Sequence, residues 1–181
     1  MSKKIVVITG SPRKNGNSFA MTDAFIDAVK KNGHTVTRFD AAAKKVEGCR
    51  ACDTCFTKGK ACSFDDDFNE IAPFIEEADA IIFTMPLYWY SFPAQIKAVI
   101  DKLYSFCVAE KKIAGKDCAA LVCCEEDDAS VMDGIIGPCK YITKLLEWNY
   151  IGEVLVTGVH HPGDINKTDG LSRVAEFASK I

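Results

Sequence analysis

The sequence lacks a long apolar run and lacks any strong excess of charge. No segment of its 181 residues approaches the roughly 18 apolar residues that a membrane-spanning helix needs. Met1-Ser2-Lys3-Lys4 leads straight into a predicted strand, without the apolar centre of a signal peptide. The formal net charge of −3 gives no electrostatic basis for binding nucleic acid. We therefore expect a cytoplasmic protein that binds neither membranes nor nucleic acid.

The sequence also lacks the common signatures of phosphate chemistry. It has no glycine-rich loop ending in Gly-Lys-Ser/Thr, which argues against a triphosphate site, and no G-x-G-x-x-G dinucleotide fingerprint. No Cys-x5-Arg loop follows a strand, and no acidic residues follow the first strand. A cysteine phosphatase and a receiver domain are therefore disfavoured.

Strand-like and helix-like patterns alternate along the whole chain. Helical faces separate five apolar strand runs, at Lys4–Thr9, Thr35–Asp40, Ala80–Met85, Cys118–Cys124 and Ile151–Val159. Five strands alternating with five helices predict an α/β fold, with right-handed crossovers onto a parallel sheet of order 2-1-3-4-5. We expect one domain over residues 1–181, with one long irregular segment at residues 41–65.

Ligands of such sheets bind beyond the carboxyl ends of the strands, at the switch point between strands 1 and 3. This rule brings together the predicted loops Gly10–Ser18, Met85–Pro93 and Cys124–Asp128. The first loop joins a buried strand to a helix start, where free N–H groups and the helix dipole favour an anion, and Arg13 adds donors suited to phosphate. The loop therefore predicts a site for a phosphorylated cofactor; the alternative is an ordinary turn with a capping Asn or Ser.

The second loop carries four aromatic residues in five positions, namely Tyr88, Trp89, Tyr90 and Phe92. Aromatic residues in a loop between two prolines are costly to leave exposed without a purpose. They suit a platform for a flat conjugated ring or a hydrophobic subunit interface, and the two interpretations are compatible.

The third loop, Glu125-Glu126-Asp127-Asp128, is interpreted as a solvated acidic segment, in which Cys124 and Glu125 offer backbone contacts to a bound ring. We assign no catalytic role to its carboxylates. His160 and His161 follow the last strand, and a pair of histidines on a loop is usually neither a metal site nor a proton donor.

Four of the nine cysteines lie within the irregular segment as C-x2-C-x2-C-x6-C, at Cys49, Cys52, Cys55 and Cys62. Three alternatives stay open: ligands of a [4Fe–4S] cluster, a four-sulfur zinc site, or free thiols that bind no metal. The other five are expected to be small buried hydrophobic residues, at Cys107, Cys118, Cys123, Cys124 and Cys139.

These motifs resemble those of the flavodoxin-like NAD(P)H-dependent FMN reductases, in particular the branch that includes the iron–sulfur flavoproteins. The matching segments span nearly the whole chain: Gly10-Ser11-Pro12-Arg13 with Gly16-Asn17-Ser18, Met85-Pro86-Leu87-Tyr88, Pro93-Ala94-Gln95-Ile96-Lys97 with Asp101-Lys102, and Cys123–Asp128 with Asp133-Gly134. The resemblance implies a three-layer sandwich that binds FMN. It implies phosphate binding by Ser11, Arg13, Asn17 and Ser18, and a ring bordered by Pro86, Leu87, Tyr88 and Trp89.

The resemblance also implies an activity. NAD(P)H would pass a hydride to N5 of FMN, and a second acceptor would then take the electrons: a quinone, a flavin, a metal chelate or a redox protein. The flavin carries the chemistry, so no catalytic side chain is named. The compact cysteine motif after strand 2 matches the iron–sulfur branch, and a homodimer or homotetramer is expected. Two other classes stay open: an electron carrier served by a ferredoxin-like partner, and a flavin-free redox or metal sensor.

Overall fold

A parallel sheet of five strands forms the centre of the computed structural model, which describes all 181 residues. The strand order is β2-β1-β3-β4-β5, which confirms the predicted flavodoxin-like topology. The strands are β1 (Lys4–Thr9), β2 (Thr35–Asp40), β3 (Ala80–Pro86), β4 (Asp117–Cys123) and β5 (Asn149–Val156). The helices are α1 (Asn17–Lys31), α2 (Phe68–Glu77), α3 (Ala94–Lys102), α4 (Tyr104–Val108), α5 (Asp133–Leu145) and α6 (Gly170–Ala178).

The sheet is buried on both faces, as the near-continuous apolar strands require. Side chains alternate along each strand, so Val6 and Ile8 of β1 enter one core, whereas Ile5 and Val7 enter the other. Helices α2 to α5 cover the first core, and α1 and α6 cover the second. The longest helix, α1, has 15 residues, and none of the helices has the length and composition of a membrane span.

The predicted boundaries of β1 and β2 are confirmed, and β3 runs one residue further than predicted. The predicted last strand extended to Val159, but β5 ends at Val156. The backbone turns away through Gly158, which has a φ of +67°. There the N–H of Val159 donates to the carbonyl of Cys124, so this segment packs onto the loop after β4.

The prediction of five helices was wrong by one, because the chain continues past the third predicted helix, after an interruption at Leu103, as the short helix α4. The N–H of Leu103 donates to the carbonyl of Ile100, and that of Phe106 to the carbonyl of Leu103, so i→i−3 bonds tighten the chain there. Cys107, expected in the core, is instead exposed on α4.

Candidate functional site

The carboxyl ends of β1, β3, β4 and β5 surround a cavity of about 580 Å³, within the range of small-molecule sites. It lies at the switch point between β1 and β3, where the topology predicts a ligand. All ten residues predicted to contact the cofactor line it: Ser11, Arg13, Asn17, Ser18, Pro86, Leu87, Tyr88, Trp89, Cys124 and Glu125.

The loop between β1 and α1 is held close to the sheet by two glycines. The N–H of Gly10 donates to the carbonyl of Thr84 at 2.9 Å, and a Cβ at Gly10 would lie 3.1 Å from Ile96. Gly16 caps α1, and a Cβ there would lie 3.0 Å from the carbonyl oxygen of Arg13. A side chain at either position would force the loop or its neighbour to shift by a few tenths of an ångström.

The start of α1 presents unused donors to the cavity. The N–H groups of Asn17 and Ser18 make no hydrogen bond within the chain, as expected for the first turn of a helix. Arg13 is exposed and takes part in no ion pair, while the hydroxyl oxygen of Ser11 accepts from its N–H at 3.1 Å. Free N–H groups, a helix dipole and an unpaired guanidinium form a binding site for an anion.

The side-chain amide of Asn17 bonds to the loop after β5 and is not free for the predicted phosphate contact. Its Nδ2 donates to the carbonyl of His161 at 3.0 Å, and its Oδ1 accepts from the N–H groups of Gly163 and Ile165. The side chain thus ties the loop after β5 to the start of α1. Asn17 is left to contact an anion through its backbone N–H.

The aromatic loop after β3 ends in a tight turn. Tyr88 and Ser91 exchange two backbone hydrogen bonds, of 3.1 and 3.0 Å. Trp89 and Tyr90 occupy the centre of the turn with φ of +48° and +58°, a left-handed conformation that costs roughly 1–2 kcal/mol for each residue with a side chain. Trp89 is 95% exposed. Strain of this kind concentrates at functional sites.

The turn rests directly on the first turn of α5, at Gly134. A Cβ at Gly134 would lie 2.0 Å from the carbonyl oxygen of Tyr90, so only glycine allows this approach. Gly134 stands in one of the matching motifs, but its neighbours in the sequence do not explain why a glycine is needed there. The reason is a contact between segments more than 40 residues apart, which no local pattern reveals.

The loop after β4 supplies free N–H groups, from Glu125 as predicted and from Glu126 in place of Cys124. The N–H of Cys124 donates to Val156 and its carbonyl accepts from Val159, so both of its backbone groups are occupied. The N–H groups of Glu125 and Glu126 are free. Burial raises the pKa of the Cys124 thiol, which therefore stays protonated at neutral pH.

The loop after β5 was not predicted to belong to the site, yet His160 lines the cavity. Its Nδ1 lies within hydrogen-bonding distance of Glu125 Oε2, at the rim of the cavity. Asp164 accepts from the N–H groups of His160 and His161, and its hydrogen bond with Lys167 is the largest contribution that lowers the pKa of Asp164 to about 2. The position of the histidines beyond the carboxyl end of β5 was the available signal.

The four clustered cysteines line a second, separate cavity. It measures about 20 Å³, room for roughly one water, so any larger group would require the segment around it to open. No three of the His, Cys, Asp and Glu side chains are grouped closely enough to ligate a single metal ion. Burial raises the pKa of Cys55, and the nearby thiols of Cys52, Cys49 and Cys62 raise it further.

The chemistry of this second cavity nevertheless suits an iron–sulfur cluster. Four thiols are the ligand set that such clusters use. Ser105, which also lines the cavity, has a buried hydroxyl without a hydrogen-bond partner, and Lys102 contributes a positive charge to the same wall. A bound group that accepts hydrogen bonds would satisfy the hydroxyl of Ser105, while Lys102 already pairs with Asp66 on the same wall.

Comparison with known proteins gives a consistent result. The family described as NADPH-dependent FMN reductase matches residues 3–130. An iron–sulfur flavoprotein of Archaeoglobus fulgidus is 32% identical over 98% of this chain and 78% of its own, and one of Methanosarcina thermophila is 30% identical over 98% and 93%. An azoreductase of Bacillus anthracis shares the fold over the full length of both chains, with a TM-score of 0.76 and 20% identity.

Proposed function

The chain belongs to the NADPH-dependent FMN reductase family, and from this premise we propose that its larger cavity holds FMN and there receives NAD(P)H and an electron acceptor. The protein is thus an NAD(P)H-dependent FMN reductase, similar to quinone reductases. The observation that carries the assignment of this cavity is its division into two halves. An anion site stands at the start of α1, and an aromatic turn follows β3 at the same edge of the sheet.

The phosphate of FMN suits the anion site. We assign it to the free N–H groups of Asn17 and Ser18, the hydroxyls of Ser11 and Ser18, and the guanidinium of Arg13. A doubly charged phosphate gains from each of these donors, and charge-assisted hydrogen bonds are about twice as strong as neutral ones. The Asn17 side chain has a positioning role, because it holds the loop after β5 beside the site.

The isoalloxazine ring suits the other half of the cavity. Pro86, Leu87, Tyr88 and Trp89 would border it, and the free N–H groups of Glu125 and Glu126 would serve its carbonyl oxygens. When bound, FMN would supply the redox chemistry of the cavity, namely hydride transfer from NAD(P)H and onward transfer of the electrons to an acceptor. The residues orient the ring and limit its contact with water.

Flavin titration and reduction test this proposal. Purified protein should bind FMN in a one-to-one ratio, and the bound flavin should bleach on anaerobic addition of NADPH or NADH and recover its colour with a quinone. Riboflavin, which has no phosphate, serves as the matched ligand and should bind much more weakly. Equal binding of riboflavin and FMN would contradict the assigned anion site, and protein that gains no flavin absorbance would contradict the function.

A second candidate function rests on the cysteine cavity: electron transfer between FMN and a [4Fe–4S] cluster held by Cys49, Cys52, Cys55 and Cys62. Two observations support it, namely four thiols around one cavity and a buried hydroxyl beside them that lacks a partner. Iron and sulfide should be present in anaerobically purified protein and absent from Cys52→Ala. Cys107→Ala removes an exposed thiol outside the cavity and serves as the control. Equal iron in both variants would contradict the ligand assignment.

We also propose a homodimer or homotetramer in a reducing cytoplasm. A second subunit would cover Trp89, Tyr141 or Leu145, which are each at least 76% exposed, and all nine cysteines are free, as expected in a reducing compartment. Light scattering after size-exclusion chromatography measures the assembly, and a monomer at micromolar concentration would contradict it.

A further inference from the structure

The wall of the cysteine cavity opposite the cysteine-rich segment is formed by the end of α3 and the beginning of α4. Lys102 is the last residue of α3 and Ser105 the second of α4, and both line the cavity. The interruption at Leu103 lets two consecutive helices contribute to this wall. Tyr104 adds a link to the opposite side, because its hydroxyl donates to Asp53 Oδ1 at 2.9 Å, between Cys52 and Cys55.

Lys102 places a buried positive charge beside one of the thiols. Its side chain is 6% exposed, and its Nζ lies 3.1 Å from Asp66 Oδ2 and 3.5 Å from the sulfur of Cys62. Asp66 is fixed in turn by the N–H groups of Glu47 and Phe68. Burying such a pair often gives no gain in stability over apolar residues of the same volume. Because the ammonium group of Lys102 lies next to the thiol of Cys62, it would also lie next to a ligand bound by the thiols.

Ser105 presents an unused donor at the same cavity. The residue is 3% exposed, and its Oγ has no hydrogen-bond partner within the chain. A buried hydroxyl without a partner is destabilising, so the hydroxyl needs an acceptor from outside the polypeptide. The sulfur atoms of a bound cluster accept hydrogen bonds.

We propose that Lys102 and Ser105 donate hydrogen bonds to the sulfur atoms of a [4Fe–4S] cluster in this cavity and thereby set its reduction potential, an inference that rests on the second function proposed above. Reduction adds one electron and hence negative charge to the site, with no covalent bond made or broken. A nearby ammonium and hydrogen-bond donors stabilise the reduced state more than the oxidised one. Both residues therefore raise the potential, and both are positioning residues.

A redox titration of the anaerobically purified, full-length protein tests this inference, with dithionite supplying the electron and the reduced cluster measured by electron paramagnetic resonance. In Lys102→Met, the ratio of reduced to oxidised cluster at a fixed solution potential should fall about tenfold, which corresponds to a midpoint lower by about 59 mV for one electron. Ser105→Ala should shift the midpoint in the same direction by less.

Two controls separate this effect from a change in net charge. Lys97→Met removes the same charge from the same helix, but that side chain is 47% exposed and pairs with Asp101 at the surface, so its midpoint should match the wild type. Lys102→Arg keeps the charge and should stay close to the wild type. An equal shift in Lys97→Met and Lys102→Met would overturn the inference.

The two proposals fail in distinguishable ways. Wild-type protein that contains no iron and sulfide overturns the cluster, and this inference with it. Normal iron content with unchanged midpoints in Lys102→Met and Ser105→Ala overturns only the role of these residues. If Lys102→Met fails to fold because Asp66 loses its partner, the midpoint of Ser105→Ala, a much smaller change in structure, tests the inference by itself.

Discussion

The two cavities of this protein are built in different ways. The walls of the larger cavity are strand ends and the first turn of a helix, held by the sheet and by close contacts at Gly10, Gly16 and Gly134. The cysteine cavity has one helical wall, but its other wall is an irregular segment in which Ala51, Asp53 and Phe56 all have positive φ. The first site is open before its ligand arrives, whereas the second is nearly closed and must open to receive a cluster.

The largest expected effect is a difference in alkylation rate between the exposed cysteines, two of which line the cysteine cavity, and the cysteines buried in the core. In iron-free protein, exposed Cys49, Cys52 and Cys107 should react with iodoacetamide at least about 1000-fold faster than Cys123 and Cys139, which must wait for opening of the core. Burial also raises the pKa of Cys123 and of Cys139 to about 12, so both remain protonated thiols at neutral pH. Peptide mapping over time measures each rate.

A bound cluster should then create a difference within the exposed group. Cys49 and Cys52 should become protected while Cys107 stays reactive. Comparable rates at exposed and buried positions would show that the core is loosely packed and would contradict the fold.

Limited proteolysis compares the two loops directly. Trypsin has exposed targets in both, Arg13 and Lys14 beside the larger cavity, and Arg50 and Lys58 in the cysteine-rich segment. We expect cleavage of iron-free protein after Arg50 or Lys58 to be about 100-fold faster, because that segment opens locally at low cost. Timed digestion with mass spectrometry identifies the first cut. A first cut after Arg13 would contradict the conclusion that the larger cavity is preformed and that the cysteine-rich segment opens more easily.

The charge at the anion site has a smaller but measurable effect. Arg13→Ala should weaken FMN binding about 10- to 100-fold, since a hydrogen bond to a charged group contributes about 1.5–3 kcal/mol. Fluorescence titration of FMN gives the dissociation constant. Arg173→Ala, on the surface of α6, is the control and should leave that constant unchanged. Unaltered affinity in Arg13→Ala would remove the guanidinium from the phosphate site.

The smallest expected effects distinguish two glycines of α5. Gly134→Ala should lower the free energy of unfolding by about 1–3 kcal/mol and also weaken FMN binding, because its Cβ would displace the carbonyl of Tyr90. Gly137→Ala would meet no atom of a distant segment, but Pro138 follows it and disfavours a helical residue that has a Cβ, so stability should change by less than about 0.5 kcal/mol. Urea denaturation measures both. Stabilisation by both substitutions would show that the aromatic turn does not depend on Gly134.

Much of this architecture could be predicted from the sequence, because it depends on patterns of apolar residues within short segments. The apolar runs of β1 and β2 gave the correct boundaries, and five parallel strands imply a common edge where their loops meet. That rule alone brought Ser11, Tyr88 and Glu125 to one cavity.

What could not be predicted depends on contacts between distant segments. The side chain of Asn17 binds the loop after β5, nearly 150 residues further along the chain, although the helix start alone favoured a phosphate contact. The contact of Gly134 with Tyr90, the pairing of His160 with Glu125, and the position of Ser105 beside the cysteines arise only once the elements are packed. The thiols themselves were predicted as a group, but no spacing reveals whether their cavity is open or closed.

The exposed aromatic turn also allows ligand binding to be followed by the intrinsic tryptophan fluorescence of the protein. The chain has two tryptophans: Trp89 is almost fully in water at the rim of the larger cavity, whereas Trp148 is 5% exposed and its indole N–H donates to the carbonyl of Ile113. Emission from Trp148 should therefore lie at shorter wavelength and follow the integrity of the core. Emission from Trp89 should lie at longer wavelength and change whenever a flavin, a nicotinamide or a second subunit covers the rim, so a single spectrum separates occupancy from unfolding.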